Sequence, residues 1–251
     1  NGSPALSYSV NKNDLALYTD LLTKYKASSN QALSLSYQKG NIKMGEIALK
    51  NRAVANTFID SAAKQGKEDW VKLLLANNAN AQLGLKGAVD NKQTKIVGLL
   101  LDGGALSNRV EYIQTAVTNK DLAMTKLLVE KGKANPENGR ELAINSNQVS
   151  LTKYLLEKGA KPTGLIVPAQ KGWFDMVKLL VEKGADPNEG IEHSANFNRT
   201  NISIYLLDKG AAPKDYIKHA AYHGNIKVTK KFLEKGANPN DGNYNAVWKE
   251  K

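Results

Sequence analysis

The stretch GWFDMVKLLVEKGADPN, residues 172–188, decides the fold, because versions of it return about every 26 residues. Later copies read NRTNISIYLLDKGAAP (198–213) and GNIKVTKKFLEKGANPN (224–240). Earlier ones read GKEDWVKLLLANNANA (66–81) and NQVSLTKYLLEKGAKP (147–162). Each pairs an apolar pattern of helical period with a turn signal behind it. A unit this short cannot bury its own apolar face, so neighbouring copies must cover one another.

Two columns of turn residues set the register. The position closing each second helix falls at Tyr25, Arg52, Asn78, Gly104, Gly132, Gly159, Gly184, Gly210 and Gly236. Six of these are glycine, which enters the left-handed conformation that ends a helix without a side-chain clash. Twelve residues earlier lie Asn13, Gly40, Gly66, Lys92, Lys120, Asn147, Gly172, Asn198 and Gly224, seven of them Gly or Asn. Each unit therefore reads as a short helix, a tight turn, a longer helix and a loop. Four residues before the first turn stand Ser9, Ser36, Ala62, Ala88, Ala116, Ala143, Pro168, Ser194 and Ala220, nearly all small, as close helix approach requires. The second helices carry the pairs Leu73-Leu74, Leu99-Leu100, Leu127-Leu128, Leu179-Leu180 and Phe232-Leu233, and Trp70 joins a core column of Val and Met.

HAAYHGNIKVTKKFLEKGANPN (219–240) and PAQKGWFDMVKLLVEKGADPN (168–188) resemble the ankyrin repeat, and the resemblance covers nearly the whole chain in nine copies. It implies an all-α, ankyrin-like α-solenoid of about nine helix-turn-helix repeats, one domain over residues 1–251. The usual period is 33 residues. The missing residues belong to the loop after the closing position, where the family projects a β-hairpin finger, so very little strand is expected. TGLI at Thr163 and DYIK at Asp215 replace the family's Thr-Pro-Leu-His opening. Nine layers of roughly 10 Å give an array on the order of 90 Å long. Around KANPENGRELA (133–143) the spacing stretches, and Arg140 stands in a column of Leu and Ile. This marks either a variant loop or a weak joint near 133–141.

The chain carries a formal charge of +11 and no cysteine. The charge favours acidic partners wherever its lysines converge. The missing cysteine rules out disulfides and thiolate metal sites but leaves the redox compartment open. No apolar run approaches the roughly 18 residues that cross a bilayer. The opening NGSPALS, without methionine, reads as a processed or trimmed start. A soluble protein is expected, compatible with a bacterial periplasmic or secreted setting, though the compartment stays open. Lys24, Lys131, Lys158, Lys183, Lys209 and Lys235 precede the closing position in six units. There a cation complements the negative helix end by about 0.3–1 kcal/mol. First-helix positions expected to line a concave face mix both signs with amides: Gln170, Lys171, Glu192, Asn196 and Lys218 in the later units. A phosphate track needs converging cations, and single strands need stacking rings. Neither runs along this face, so nucleic-acid binding is not expected.

Catalytic, cofactor and metal sites are not expected either. His219 and His223 are four apart, but Ala220 stands where a His-Glu-x-x-His motif needs glutamate. NDGN (240–243) reads as a turn. Three aromatics break polar columns beside the first turns of consecutive units: Trp173, Phe197 and Tyr222. Rings at exposed sites are favoured binding anchors, and they also pack over neighbouring repeats. With His223, Gln170, Lys171, Glu192, Asn196 and Lys218 they form the expected protein-binding site. The resemblance implies a non-enzymatic protein–protein interaction scaffold, monomeric on its own, holding a partner with an acidic or polar surface on its concave face. A sharper version makes it an inhibitor, immunity protein or chaperone of a bacterial effector or enzyme. The rival class is a basic-surface module for anionic membrane or nucleic acid, which salt-sensitive retention on heparin would favour.

Overall fold

The structure is a computed structural model that describes residues 3–242, so Asn243 of the NDGN turn lies outside it. Two compact units divide the chain, Asn1–Ala134 and Asn135–Lys251. Unit 1 holds five helix pairs: α1 (Pro4–Lys12) with α2 (Leu15–Thr23), α3 (Ser29–Lys39) with α4 (Ile42–Lys50), α5 (Asn56–Lys64) with α6 (Glu68–Ala76), α7 (Gln82–Asp90) with α8 (Thr94–Asp102), and α9 (Val110–Thr118) with α10 (Leu122–Glu130). Unit 2 holds α11 (Glu137–Asn145) with α12 (Val149–Glu157), α13 (Ile166–Lys171) with α14 (Phe174–Glu182), α15 (Asn188–Asn196) with α16 (Thr200–Asp208), and α17 (Ile217–Tyr222) with α18 (Ile226–Glu234). Among the described residues there is no strand, and the nine pairs are the nine repeats of an ankyrin-like α-solenoid. The second helices are not generally the longer ones. All span nine residues, as do most first helices; α13 and α17, six residues each, are the short exceptions.

Every residue of the first-turn column is left-handed, with φ between 53° and 81°. The closing column is left-handed at seven of its nine positions. At Tyr25 and Gly132 the left-handed residue comes one later, at Lys26 and Lys133. That correction moves the irregularity of spacing upstream of KANPENGRELA. Sixteen residues separate left-handed Gly104 from Lys120, against fourteen in most other repeats, and thirteen separate Lys120 from Lys133, as they do Asn13 from Lys26, against twelve in the other seven. The surplus lies in the fifth repeat, where it seats Ser107. This buried side chain donates its hydroxyl to the Leu128 carbonyl at 2.7 Å, and its N–H bonds the Gly132 carbonyl at 2.8 Å. Gly132 is therefore glycine for space, not for φ: a Cβ there would run into Ser107 and sit 2.8 Å from the Leu128 oxygen.

The small column is buried throughout, from Ser9, Ser36 and Ala62 in unit 1 to Ser194 and Ala220 in unit 2. In each second-helix pair one member is fully buried: Leu74, Leu100, Leu128, Leu180 and Phe232. Trp70, 3% exposed, is core as expected. Arg140 keeps its stem in the Leu/Ile column, and its guanidinium bonds Glu137 and the Thr163 carbonyl, each at 2.9 Å.

Something must hold successive repeats together where fingers are missing. A side chain at the start of a first helix accepts the backbone N–H 24 residues later, in the loop of the next repeat. The pairs are Asn30 with Val54, Asn56 with Asn80, Gln82 with Leu106, Glu137 with Lys161 and Asn188 with Ala212, at 2.6–2.9 Å. Glu189 reaches the other way, to the N–H groups of Gly164 and Leu165. These pins give loop amides the partners that a hairpin would have given them. Asn56→Ala is expected to cost up to about 1 kcal/mol, read from the urea midpoint. An unchanged midpoint would mean that water replaces the pin without loss.

Candidate functional site

The candidate surface is the row of first turns in the last three repeats, all within unit 2. The residue after each first turn is the N-cap of a second helix. At Asp14, Asn41, Asp121 and Asn225 its side chain accepts the N–H of the residue three further on, at 2.8–3.2 Å. At those four positions this is why the residue is Asp or Asn. Trp173 and Arg199 occupy the same position and make no capping bond. Lys67, Gln93 and Gln148 make none either, so what sets Trp173 apart is that it is the one apolar ring in the column.

The turns are stitched side by side. Arg199 lies across Gly172, where a Cβ would come within 3.2 Å of its stem, and donates Nε to the Gln170 carbonyl at 2.9 Å. His223 Nε2 bonds the Asn196 carbonyl at 2.7 Å, and Asn225 donates to both Asn198 Oδ1 and Thr200 Oγ1 at 2.6 Å. The structure thus brings Gln170 to the second of these turns and Asn196 to the third, and places Tyr222 edge-on to His223 with centroids 5.3 Å apart. Phe197 and Tyr222 are exposed, at 41% and 47%. Trp173 departs from the expected exposure. It is half-buried, so part of its ring is packing. Gln170, Lys218 and His223 are half-buried too, while Lys171, Glu192 and Asn196 are exposed.

Around these residues the charges largely cancel. Lys218 pairs with Asp215 and also feels Glu192, and its ammonium is held above the usual lysine range. Burial, with the Lys218 charge beside it, pushes His219 below the usual histidine range. Its Nε2 is buried without a hydrogen-bond partner. Among the described residues no cluster of three or more His, Asp or Glu side chains could hold a metal ion. No helix among them is long and apolar enough to cross a membrane.

Sequence reasoning missed two contributors. A hollow of about 260 Å³ opens between the first two of these turns, lined by Lys171, Gly172, Phe174, Arg199, Thr200 and Ile202. Phe174 is 37% exposed and rests edge-on against Tyr205 at 5.5 Å. Arg199 could have been found, because it stands in the same column as Trp173. Phe174 could not, since it begins an apolar helix and reads as core.

No family model matches the chain. Ankyrin repeat and KH domain-containing protein mask-1 of Caenorhabditis elegans is 32% identical over 140 residues, which cover 53% of this chain and 5% of that protein. The chain thus spans about 5% of the length of this curated relative. The crystal structure of the human ASB11 ankyrin repeat domain is 20% identical with a TM-score of 0.45, covering 72% of this chain and 84% of that one. The ankyrin-like character read from the repeat columns is shared with the curated relative.

Proposed function

We propose that this ankyrin-like repeat chain is a non-enzymatic protein-binding array, and that the first turns of its last three repeats hold one partner protein. The observation carrying this reading is that Phe197 and Tyr222 stay exposed on turns whose backbones are tied to their neighbours. Rings presented rigidly lose little conformational freedom on binding and supply large contact area. Trp173 and Phe174 extend the apolar surface, and Gln170, Lys171, Glu192, Asn196 and Lys218 give it a polar rim of mixed sign. A partner that fits has an apolar side chain for the hollow and polar groups around it.

A photo-crosslinking residue placed at position 197 should trap a defined partner in cells of the source organism. The same residue at position 158, at the far end of its helix pair from the first turns, should not. Trapping of the same species at both positions would overturn the assignment. The finer reading, an inhibitor, immunity protein or chaperone of a bacterial effector or enzyme, requires that the trapped partner's activity or solubility change on binding. Assaying the purified partner with and without the chain decides it, and an unchanged partner removes that reading.

A further inference from the structure

The lysines of unit 1 fall into two populations. Those on the helix faces are matched with acids: Lys24 with Asp20, Lys50 with Glu46, Lys64 with Asp60, Lys72 with Glu68 and Lys131 with Asp102, at 2.6–2.9 Å. Those at the five first turns are not. Lys12, Lys39, Lys92 and Lys120 are exposed and, among the described residues, have no ion pair. Lys67 rests its ammonium 4.1 Å from the centroid of the Tyr37 ring.

Stability does not account for several of these placements. Lys92 and Lys120 occupy left-handed apexes, with φ of 57° and 56°, where Gly or Asn stands in the other seven repeats. A side chain with a Cβ is strained there and glycine is not. Lys43, Lys67 and Lys95 sit at the starts of α4, α6 and α8, against the positive ends of those helices. Each choice disfavours the fold and adds positive charge to the same edge.

The edge is also ordered. Asn41 donates to Asn13 at 2.7 Å, Thr94 donates to Asp121 at 2.9 Å, and Gln93 packs against the Gly66 turn. Asp14 and Asp121 are engaged as caps and Glu68 is paired with Lys72, which leaves Asp69 as the unpaired acid of the edge. Between the second and third turns lies a hollow of about 510 Å³, lined by Ile42, Lys67 and Trp70 with the turn glycines, and on one side by Glu68, which is paired with Lys72, and by Asp69.

We infer that the first-turn edge of unit 1 binds an extended acidic peptide segment of a partner, with carboxylates on Lys39, Lys67, Lys92 and Lys120 and an apolar side chain in the hollow beside Ile42. Packed helix layers lie about 10 Å apart, which is about three extended residues at roughly 3.3 Å each. The segment therefore carries an acid at about every third position over about ten residues. A nucleic acid fits less well. Its closely spaced phosphates would meet Glu68 and Asp69, and the rings nearest the edge, Tyr37 and Trp70, are 6% and 3% exposed and cannot stack on bases. This surface belongs to unit 1 and the one built on Phe197 and Tyr222 to unit 2, and neither needs the other.

The test uses the full chain and a fluorescent 14-residue peptide with glutamate at every third position and one central leucine, followed by anisotropy across a salt gradient. The variant Lys39→Gln/Lys92→Gln/Lys120→Gln should weaken binding at least tenfold. Lys24→Gln/Lys50→Gln/Lys131→Gln, with the same change in net charge, should stay within twofold of the parent. Lys92→Gly/Lys120→Gly should bind several-fold more weakly while melting higher than the parent, which separates lost binding from lost folding. Phe197→Ala/Tyr222→Ala should bind this peptide as the parent does, so failure here and failure of the earlier site are distinguishable. The inference is overturned if the parent does not bind the peptide, or if both lysine triples lose binding equally. It is overturned equally if a 25-nucleotide oligothymidine or a phosphatidylserine vesicle binds more tightly through the same lysines.

Discussion

Alanine at Gly45 should destabilise the protein by about 1–3 kcal/mol, whereas alanine at Gly98 should stabilise it by up to about 1 kcal/mol. Both glycines lie inside second helices, α4 and α8, where glycine is intrinsically the poorer choice. Their surroundings decide the sign. A Cβ at Gly45 would lie 2.6 Å from Cζ3 of Trp70 and closer still to Cη2, whereas at Gly98 the nearest neighbour is a Leu127 methyl at 3.8 Å. The indole cannot retreat easily. It is 3% exposed and edge-on to Tyr37 at 5.0 Å, and Tyr37 is itself stacked on Phe58 at 4.5 Å. Removing the ring altogether, as Trp70→Ala, should cost about 3–5 kcal/mol. The sharper check is a cycle: in a Trp70→Leu background the penalty of Gly45→Ala should largely disappear. If it persists at full size, the close approach is not what keeps position 45 glycine.

Gly45 shows where reading the sequence stops. The period, the helix pairs and the first-turn column were legible, because Gly and Asn at fixed spacing report a backbone conformation directly, and Lys92 and Lys120 could be placed by spacing alone. Closing positions were less so. Glycine serves two ends, φ at Gly159 and space at Gly132, and a column of glycines does not say which. The 24-residue pins were invisible. Nothing in the repeat pattern singles out Asn30, Asn56 or Gln82, and only the packed repeat shows that each accepts a loop N–H. The capping role of Asp14, Asn41, Asp121 and Asn225 was within reach, since Asp or Asn ahead of an apolar run is a helix-start signal. It accounts for the polar residue at those four positions, while Lys67, Gln93 and Gln148 are polar without capping, as Arg199 is. Equal helix lengths were not legible, because helix ends depend on capping bonds more than on the apolar pattern.

The same reasoning separates the three aromatics of the candidate site. Phe197→Ala and Tyr222→Ala should each cost about 2 kcal/mol or more in partner binding, a loss of about 30-fold. Their cost in stability should stay under about 0.5 kcal/mol, as is usual for exposed positions. Trp173→Ala should lose both, because its half-buried ring packs as well as presents a face. Lys158→Ala, at the other end of its helix pair, should change neither by much. The measurement that bears most directly on the protein-binding array is affinity for the trapped partner and thermal melting, taken together on these four variants. The account predicts normal melting with about 30-fold weaker binding for Phe197→Ala and Tyr222→Ala. Early melting with unchanged affinity in the folded protein would contradict it, and would make these rings part of the packing.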